Sequence, residues 1–326
     1  MQLREDDTAR TNIGILNQWR GFARVRIQLY DGDGLLVSSR TRIVSPLHTL
    51  QLNRPFRKLG DRSDIESGYA VITVRSGQDI YAFGSVIDNA TGDATSIPMK
   101  RGTGNDRQWI PAAAHSSRAR RSVWRTDVCL LNRSGDHAAA EIIFHRDDGA
   151  TSSMSVAVTD GQQIVVGDVV AQLGMVGSGA VEITSDAPVM VSSRTYNSSD
   201  EGTFGLFFDG VSQCHTISKG ESVWLPQLRQ DSAYRTNIGL VNSGNVKARV
   251  RVSLFDAAGN ELVSKKRALD PSGSMQLLEP ISALARRNDI TSGHAIIEVI
   301  SGRGVIAYAS VIDNSTNDGT AVSMRR

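Results

Sequence analysis

The chain has 326 residues, 40% hydrophobic and 21% charged, with 36 basic against 34 acidic side chains, and its mean hydropathy is -0.21. These values exclude a disordered, collagen-like or membrane-embedded chain, and a formal net charge of +2 offers no concentrated field for nucleic acid or anionic lipid. Two cysteines, Cys129 and Cys214, are too few for a disulfide scaffold or a four-ligand zinc site, so the fold rests on its apolar core.

Met1-Gln2-Leu3-Arg4-Glu5-Asp6-Asp7 has neither the basic start nor the apolar run of a signal peptide, and no later stretch reaches the ~18 consecutive apolar residues of a membrane helix. Strands are expected at residues 11–16, 23–29, 36–43, 49–52, 69–74, 80–87 and 95–99, where apolar residues alternate with polar ones and so line one face of a sheet. Asp31-Gly32-Asp33-Gly34 marks a hairpin after the second of these. Arg54-Pro55-Phe56-Arg57-Lys58-Leu59-Gly60 puts proline where a first helical turn accepts it, which predicts one short connecting helix.

The same elements return. Arg10-Thr11-Asn12-Ile13-Gly14 recurs as Arg235-Thr236-Asn237-Ile238-Gly239, and Ser85-Val86-Ile87-Asp88-Asn89 as Ser310-Val311-Ile312-Asp313-Asn314, at one offset of 225 residues. That offset holds without a gap from Gln2 to Arg101, with roughly 45 of about 100 positions identical. A diverged copy lies between: Arg125-Thr126-Asp127-Val128 answers Arg10 onward, Asp148-Gly149 answers Asp33-Gly34, Ser178-Gly179-Ala180 answers Ser67-Gly68, and Ser193-Arg194-Thr195-Tyr196-Asn197 answers Ser85 to Asn89. In this copy the residues from Asp168 to Gly174 match the helical stretch.

Trp109-Ile110-Pro111 and Trp224-Leu225-Pro226 precede the second and third copies and read as linker anchors. The expected units are therefore residues 1–105, 106–220 and 221–326, each an antiparallel, immunoglobulin-like β-sandwich of about seven strands. Met1 falls opposite Pro226, inside that linker motif, as in a mature fragment whose signal peptide lay upstream.

The order Arg-Thr-Asn-x-Gly-x-x-Asn, a strand ending in Asp-x-x-Gly, Ser-Gly-x-Ala, and Ser-Arg-Thr-Tyr-Asn followed by Gly202-Thr203-Phe204-Gly205 resembles tandem β-sandwich modules of bacterial secreted and surface proteins. The resemblance covers all three copies and implies an extracellular structural or adhesive array. A second likeness is to the sensory rhodopsin transducer family, which implies a cytoplasmic signalling partner. Those proteins carry a single module, and this chain departs from them in carrying three.

Asp88, Asn89 and Asp93, with their copies Asp313, Asn314 and Asp318, place oxygen side chains at near-alternate positions, as calcium loops do; an Asx turn uses the same residues. Asn197-Ser198-Ser199-Asp200-Glu201 keeps the acidity without the spacing. Arg10, Arg125 and Arg235 open the same strand of each copy and are expected to bridge to a carboxylate of that loop, a structural role. The basic run from Arg118 to Arg125 has no interleaved aromatics for nucleic acid and reads as a solvated linker. Cys129 is expected to be a buried thiol, with a Cys129–Cys214 disulfide as the alternative. Cys214-His215 suggests a nucleophile pair, but neighbours on a strand point to opposite faces.

His48, His115, His137, His145 and His294 show no metal spacing, and no nucleophile elbow, P-loop or dinucleotide fingerprint is present. No catalysis, cofactor, nucleic acid or membrane insertion is therefore expected. A protein or glycan surface partner, the latter needing exposed aromatics among Trp19, Trp109, Trp124 and Trp224, and self-association through edge strands are the partner classes the sequence admits.

Overall fold

The computed structural model describes residues 1–118, 122–199 and 202–326. Strands make up 64% and helix 6%, so the chain is all-β, as its period-two patterning requires. The first repeat runs β1 (Leu3–Glu5), β2 (Ala9–Asn17), β3 (Ala23–Asp31), β4 (Leu36–Val44), β5 (Thr49–Asn53), α1 (Pro55–Gly60), β6 (Ile65–Ser76), β7 (Ile80–Asp88) and β8 (Ala94–Pro98). Two four-stranded antiparallel sheets result, β1-β6-β3-β4 and β5-β2-β7-β8. Val25, Ile27 and Leu29 of one sheet meet Ile13 and Ile15 of the other, with Phe56 of α1 in the same core.

The third repeat repeats this with β17 (Ser222–Gln230), β18 (Tyr234–Asn242), β19 (Ala248–Asp256), β20 (Glu261–Leu269), β21 (Ser274–Leu277), α3 (Pro280–Ala285), β22 (Ile290–Ser301), β23 (Val305–Asp313) and β24 (Gly319–Ser323), after the middle repeat's β9 (Asn105–Arg118), β10 (Ser122–Asn132), β11 (Ala138–Arg146), β12 (Thr151–Val158), β13 (Gln163–Val166), α2 (Val169–Gln172), β14 (Gly177–Ser199), β15 (Gly202–Asp209) and β16 (Val211–Ser212). In the middle repeat the two sheets are joined into one of eight strands. Strand β14 pairs β11 through its first half and β10 and β15 through its second. The first and third repeats break at the corresponding place, where Gly77 (φ 94) and Gly302 (φ 90) turn the chain through the left-handed region. The middle copy has Asp186-Ala187-Pro188 there, with no glycine to make that turn.

Two expectations are corrected. The Trp-x-Pro motif is not a linker: Trp109 and Pro111 lie within β9, Trp224 and Pro226 within β17, so each full repeat has an eighth strand. Each proline sits where the pairing slips, between Gly179 and Val181 for β9 and between Leu225 and Leu228 for β17, which tolerates its missing N–H. The landmark match in the middle copy also moves by one residue. Asn197 lies opposite Trp124 as Asp88 lies opposite Ala9, so Arg194 stands where the other repeats have Ser85 and Ser310.

One side chain closes the same turn in all three repeats. Asn17 Nδ2 donates to the carbonyls of Gly21, Val44 and Ser45, Asn132 to Asp136 and Val158, and Asn242 to Val246, Leu269 and Asp270. Each Oδ1 accepts an N–H two residues on, and all three residues are fully buried. Replacing Asn242 with alanine removes these bonds, leaving the Asp270 carbonyl only its Gly273 N–H, and is expected to cost about 2–3 kcal/mol in urea unfolding.

Candidate functional site

The β7–β8 loop and its copy are built as Asx turns. Asp88 Oδ1 accepts the N–H groups of Ala90 (2.9 Å) and Thr91 (3.1 Å), and Asp313 Oδ1 those of Ser315 (2.8 Å) and Thr316 (3.0 Å). The bonds of Arg10 and Arg235 to these loops run to amide oxygens, where a carboxylate was expected. Arg10 donates to Asn89 Oδ1 (2.8 Å), and Arg235 to Asn314 Oδ1 (2.8 Å) and Asn317 Oδ1 (2.9 Å). Arg125 instead pairs with Asp168 at 2.9 Å, beside the imidazole of His115 at 2.8 Å. Asp200, Glu201 and the stretch from Ala119 to Arg121 lie outside the described residues.

The carboxylates proposed for calcium are already engaged by protein donors. Asp88 Oδ2 accepts both N–H (3.1 Å) and Oγ1 (2.8 Å) of Thr203, and Asp93 Oδ2 accepts the N–H of Gly205 (3.0 Å). The first repeat's loop is thus docked on β15 of the middle repeat. Among the described residues, no group of three His, Cys, Asp or Glu side chains is arranged to hold a metal ion.

What converges here is a half-buried charge cluster around Arg194. Its guanidinium donates to Thr95 (3.1 Å) and Thr203 (2.8 Å), lies 3.8 Å from Asp93 and stacks 4.9 Å over the Tyr196 ring. Burial lowers its pKa, against the pull of Asp93 and Asp127. Burial also raises the pKa of both Asp93 and Asp127. Asp318, reaching in from the third repeat, is pushed from 3.8 up to about 6, first by burial and then by the charge of Asp93. Sequence reasoning placed Arg194 only as a landmark. Only the strand pairing sets it against Ser85 and Ser310 and so marks it as the one arginine at that position.

The raised pKa of Asp318 has a direction for stability. A folded-state value above the unfolded one means the folded protein binds more protons between about pH 4 and 6, so stability falls as pH rises through that window. Asp318→Asn is expected to add about 1 kcal/mol at pH 7.5, discounted for its half-exposed position, and nothing near pH 4. Thermal melts at the two pH values check this.

Cys129 is buried, its thiol pushed up to about 12 by desolvation, and both cysteines are free. Cys214 is exposed on a 3₁₀ turn, Gln213–His215, so the strand argument against its pairing with His215 does not hold: Sγ lies 3.5 Å from Nδ1, and Ser212 Oγ is 2.9 Å from the same nitrogen. Among the described residues no carboxylate bonds this imidazole to orient it as a base. Two of the hollows among the described residues lie elsewhere. One is an open cleft between β4 and α1 lined by Arg40, Arg57 and Lys58; the other, about 500 Å³, is lined by apolar groups including Ile72, Val74, Ile80 and Leu131. The first cleft also carries the Asp61 carboxylate beside these cations.

No protein-family model and no curated protein sequence matches the chain. Among solved structures it is similar to a tetra-tandem repeat in the extending region of a large adhesion protein, at 13% identity over 94% of this chain and 67% of that one, TM-score 0.16. It is also similar to dimeric latent PorU from Porphyromonas gingivalis, at 9% identity over 98% and 29%, TM-score 0.18, and to the FN1-FN3 domains of chicken CNTN1, at 10% identity over 100% and 97%, TM-score 0.12. At such TM-scores these likenesses say nothing of function, and the all-β class rests on the sheets themselves.

Proposed function

We propose that the chain is a non-enzymatic structural element, a rigid array of three immunoglobulin-like sandwich units over residues 1–105, 106–220 and 221–326, serving as an extracellular or cell-surface spacer or adhesion segment. The supporting observation is that the repeats dock on one another through buried contacts. Between the first and second, Gln163 Nε2 donates to Ser67 Oγ and to the Gly68 carbonyl at 2.9 Å each, and Tyr69 donates to the Gly161 carbonyl at 2.7 Å. Between the second and third, Trp109 and Ala180 pack on Val241 and Ile306, and Phe208 meets Tyr308 edge-on at 5.3 Å. Repeats fastened this way hold a fixed spacing, where flexible linkers leave domain motion as the default. Small-angle scattering extrapolated to infinite dilution tests the reading. One rigid shape matching these coordinates is expected; a spread of inter-repeat angles, or turnover of a substrate abolished by a single substitution, overturns it.

A further inference from the structure

The two internal junctions are the same junction used twice. In the first, the β3–β4 turn meets the start of β13, with Gln163 N–H donating to the Gly32 carbonyl at 2.8 Å. In the second, the β11–β12 turn meets the start of β21, with Ser274 Oγ donating to Asp147. The turn residues correspond, as do the strand starts. Edge strands follow the same rule. Thr203 and Gly205 of β15 bond the loop leading into β8, and Leu206 of β15 lies against Gly319 of β24.

Each repeat therefore has a head face and a tail face. The head carries a cross-strand pair, Leu131 with Met190 in the second repeat and Val241 with Ile306 in the third. In the third repeat, Tyr308 lies over Gly239 beside this pair and is 6% exposed. The tail carries an aromatic stack, Trp109 on His145 at 4.9 Å, with Trp109 2% exposed where the third repeat covers it.

One copy of each face has no cover among the described residues. On the first repeat, Leu16 pairs with Tyr81, and Phe83 lies over Gly14 as Tyr308 does over Gly239; Tyr81 and Phe83 are each 38% exposed. On the third repeat, Trp224 stacks on His294 at 5.2 Å and His294 on Phe255 at 4.9 Å, and Trp224 is 45% exposed. The head pair is covered at both internal junctions and the tryptophan stack at the second, while the first repeat's head and the third repeat's tail are left open at opposite ends.

We propose that the chain associates head to tail with further copies of itself, the Trp224 face of one copy seated on the Leu16, Tyr81 and Phe83 face of the next, in the geometry of the internal junctions. A heterologous contact that leaves both faces open within each chain builds an open filament. This goes beyond the spacer reading and does not depend on it, since a strictly monomeric rigid array leaves that reading untouched.

Sedimentation velocity from low to high micromolar concentration tests it. The wild-type chain is expected to pass through dimers to longer species. Phe83→Ala and Trp224→Ala each weaken association about 10-fold or more, as loss of an aromatic anchor does. A mixture of the two variants is expected to form dimers and stop there, because the intact tail of one fits the intact head of the other. Circular dichroism confirms folding, and Tyr81→Asp serves as a second head variant if Phe83→Ala unfolds. A wild-type chain that stays monomeric, dimers that survive in the Trp224→Ala chain alone, or a mixture that does not complement overturns the proposal.

Discussion

Replacing Arg194 with methionine is expected to destabilise the protein by about 3 kcal/mol at pH 7.5, the range seen when one partner of a buried ion cluster is removed. The side chain is 23% exposed and is the cation against which Asp93 and Asp127 are set, with Asp318 beside them. Without it, three carboxylates share a poorly hydrated junction. Their folded-state pKa values, already raised, move further up, so the folded variant takes up protons that the unfolded chain does not. Its stability therefore recovers as pH falls, and the deficit is expected to shrink to under about 1.5 kcal/mol near pH 5. Urea unfolding across that range measures it; a deficit independent of pH would mean that packing, not charge, is lost. Lysine is not expected to restore stability, because a single ammonium cannot serve Thr95, Thr203 and the Tyr196 face together.

Trp109→Ala and Trp224→Ala change the same motif with opposite expectations. Trp109 is buried between the second and third repeats, and truncating it is expected to cost about 3–5 kcal/mol, as for other buried tryptophans. Because stability in a repeat array combines unit and interface contributions, that loss is expected to split one denaturation transition into two, with the third repeat separating from the others. Trp224 is expected to cost under about 1 kcal/mol, since nearly half of it already faces water. Trp109→Phe is expected to recover most of the loss, since the indole N–H of Trp109 has no hydrogen-bond partner. Far-ultraviolet circular dichroism and fluorescence, followed together through denaturation, distinguish these outcomes.

Strand positions were legible because alternation is a local pattern. The predicted segments at 11–16, 36–43, 49–52 and 80–87 fall inside β2, β4, β5 and β7, and the proline-led helices are α1 and α3. The Trp-x-Pro segment reads as a linker because it recurs just ahead of the second and third copies, and only pairing reveals a strand with a bulge that accommodates the proline. The role of Asn17, Asn132 and Asn242 was half visible: each ends the recurring first strand, but the carbonyls it serves lie up to 28 residues away. Arg10 and Arg235, expected to meet carboxylates, donate to Asn89 and Asn314; Asp88 Oδ1 and Asp313 Oδ1 accept N–H groups of their own loops, and Asp88 Oδ2 accepts from Thr203.

The all-β class, the repetition and the positions of the first repeat's strands are legible in the sequence, because they depend on residue periodicity and self-similarity, which are properties of neighbours along the chain. Tertiary structure alone decided the rest. It gave Asp88 and Asp93 hydrogen-bond donors from β15, gathered Arg194 with carboxylates from three repeats, and buried Trp109 while leaving its twin Trp224 exposed. The physical reason is that identical segments meet different surroundings. Burial and charge pairing are set by which repeat lies against which face, and that information is carried by contacts between residues a hundred or more positions apart.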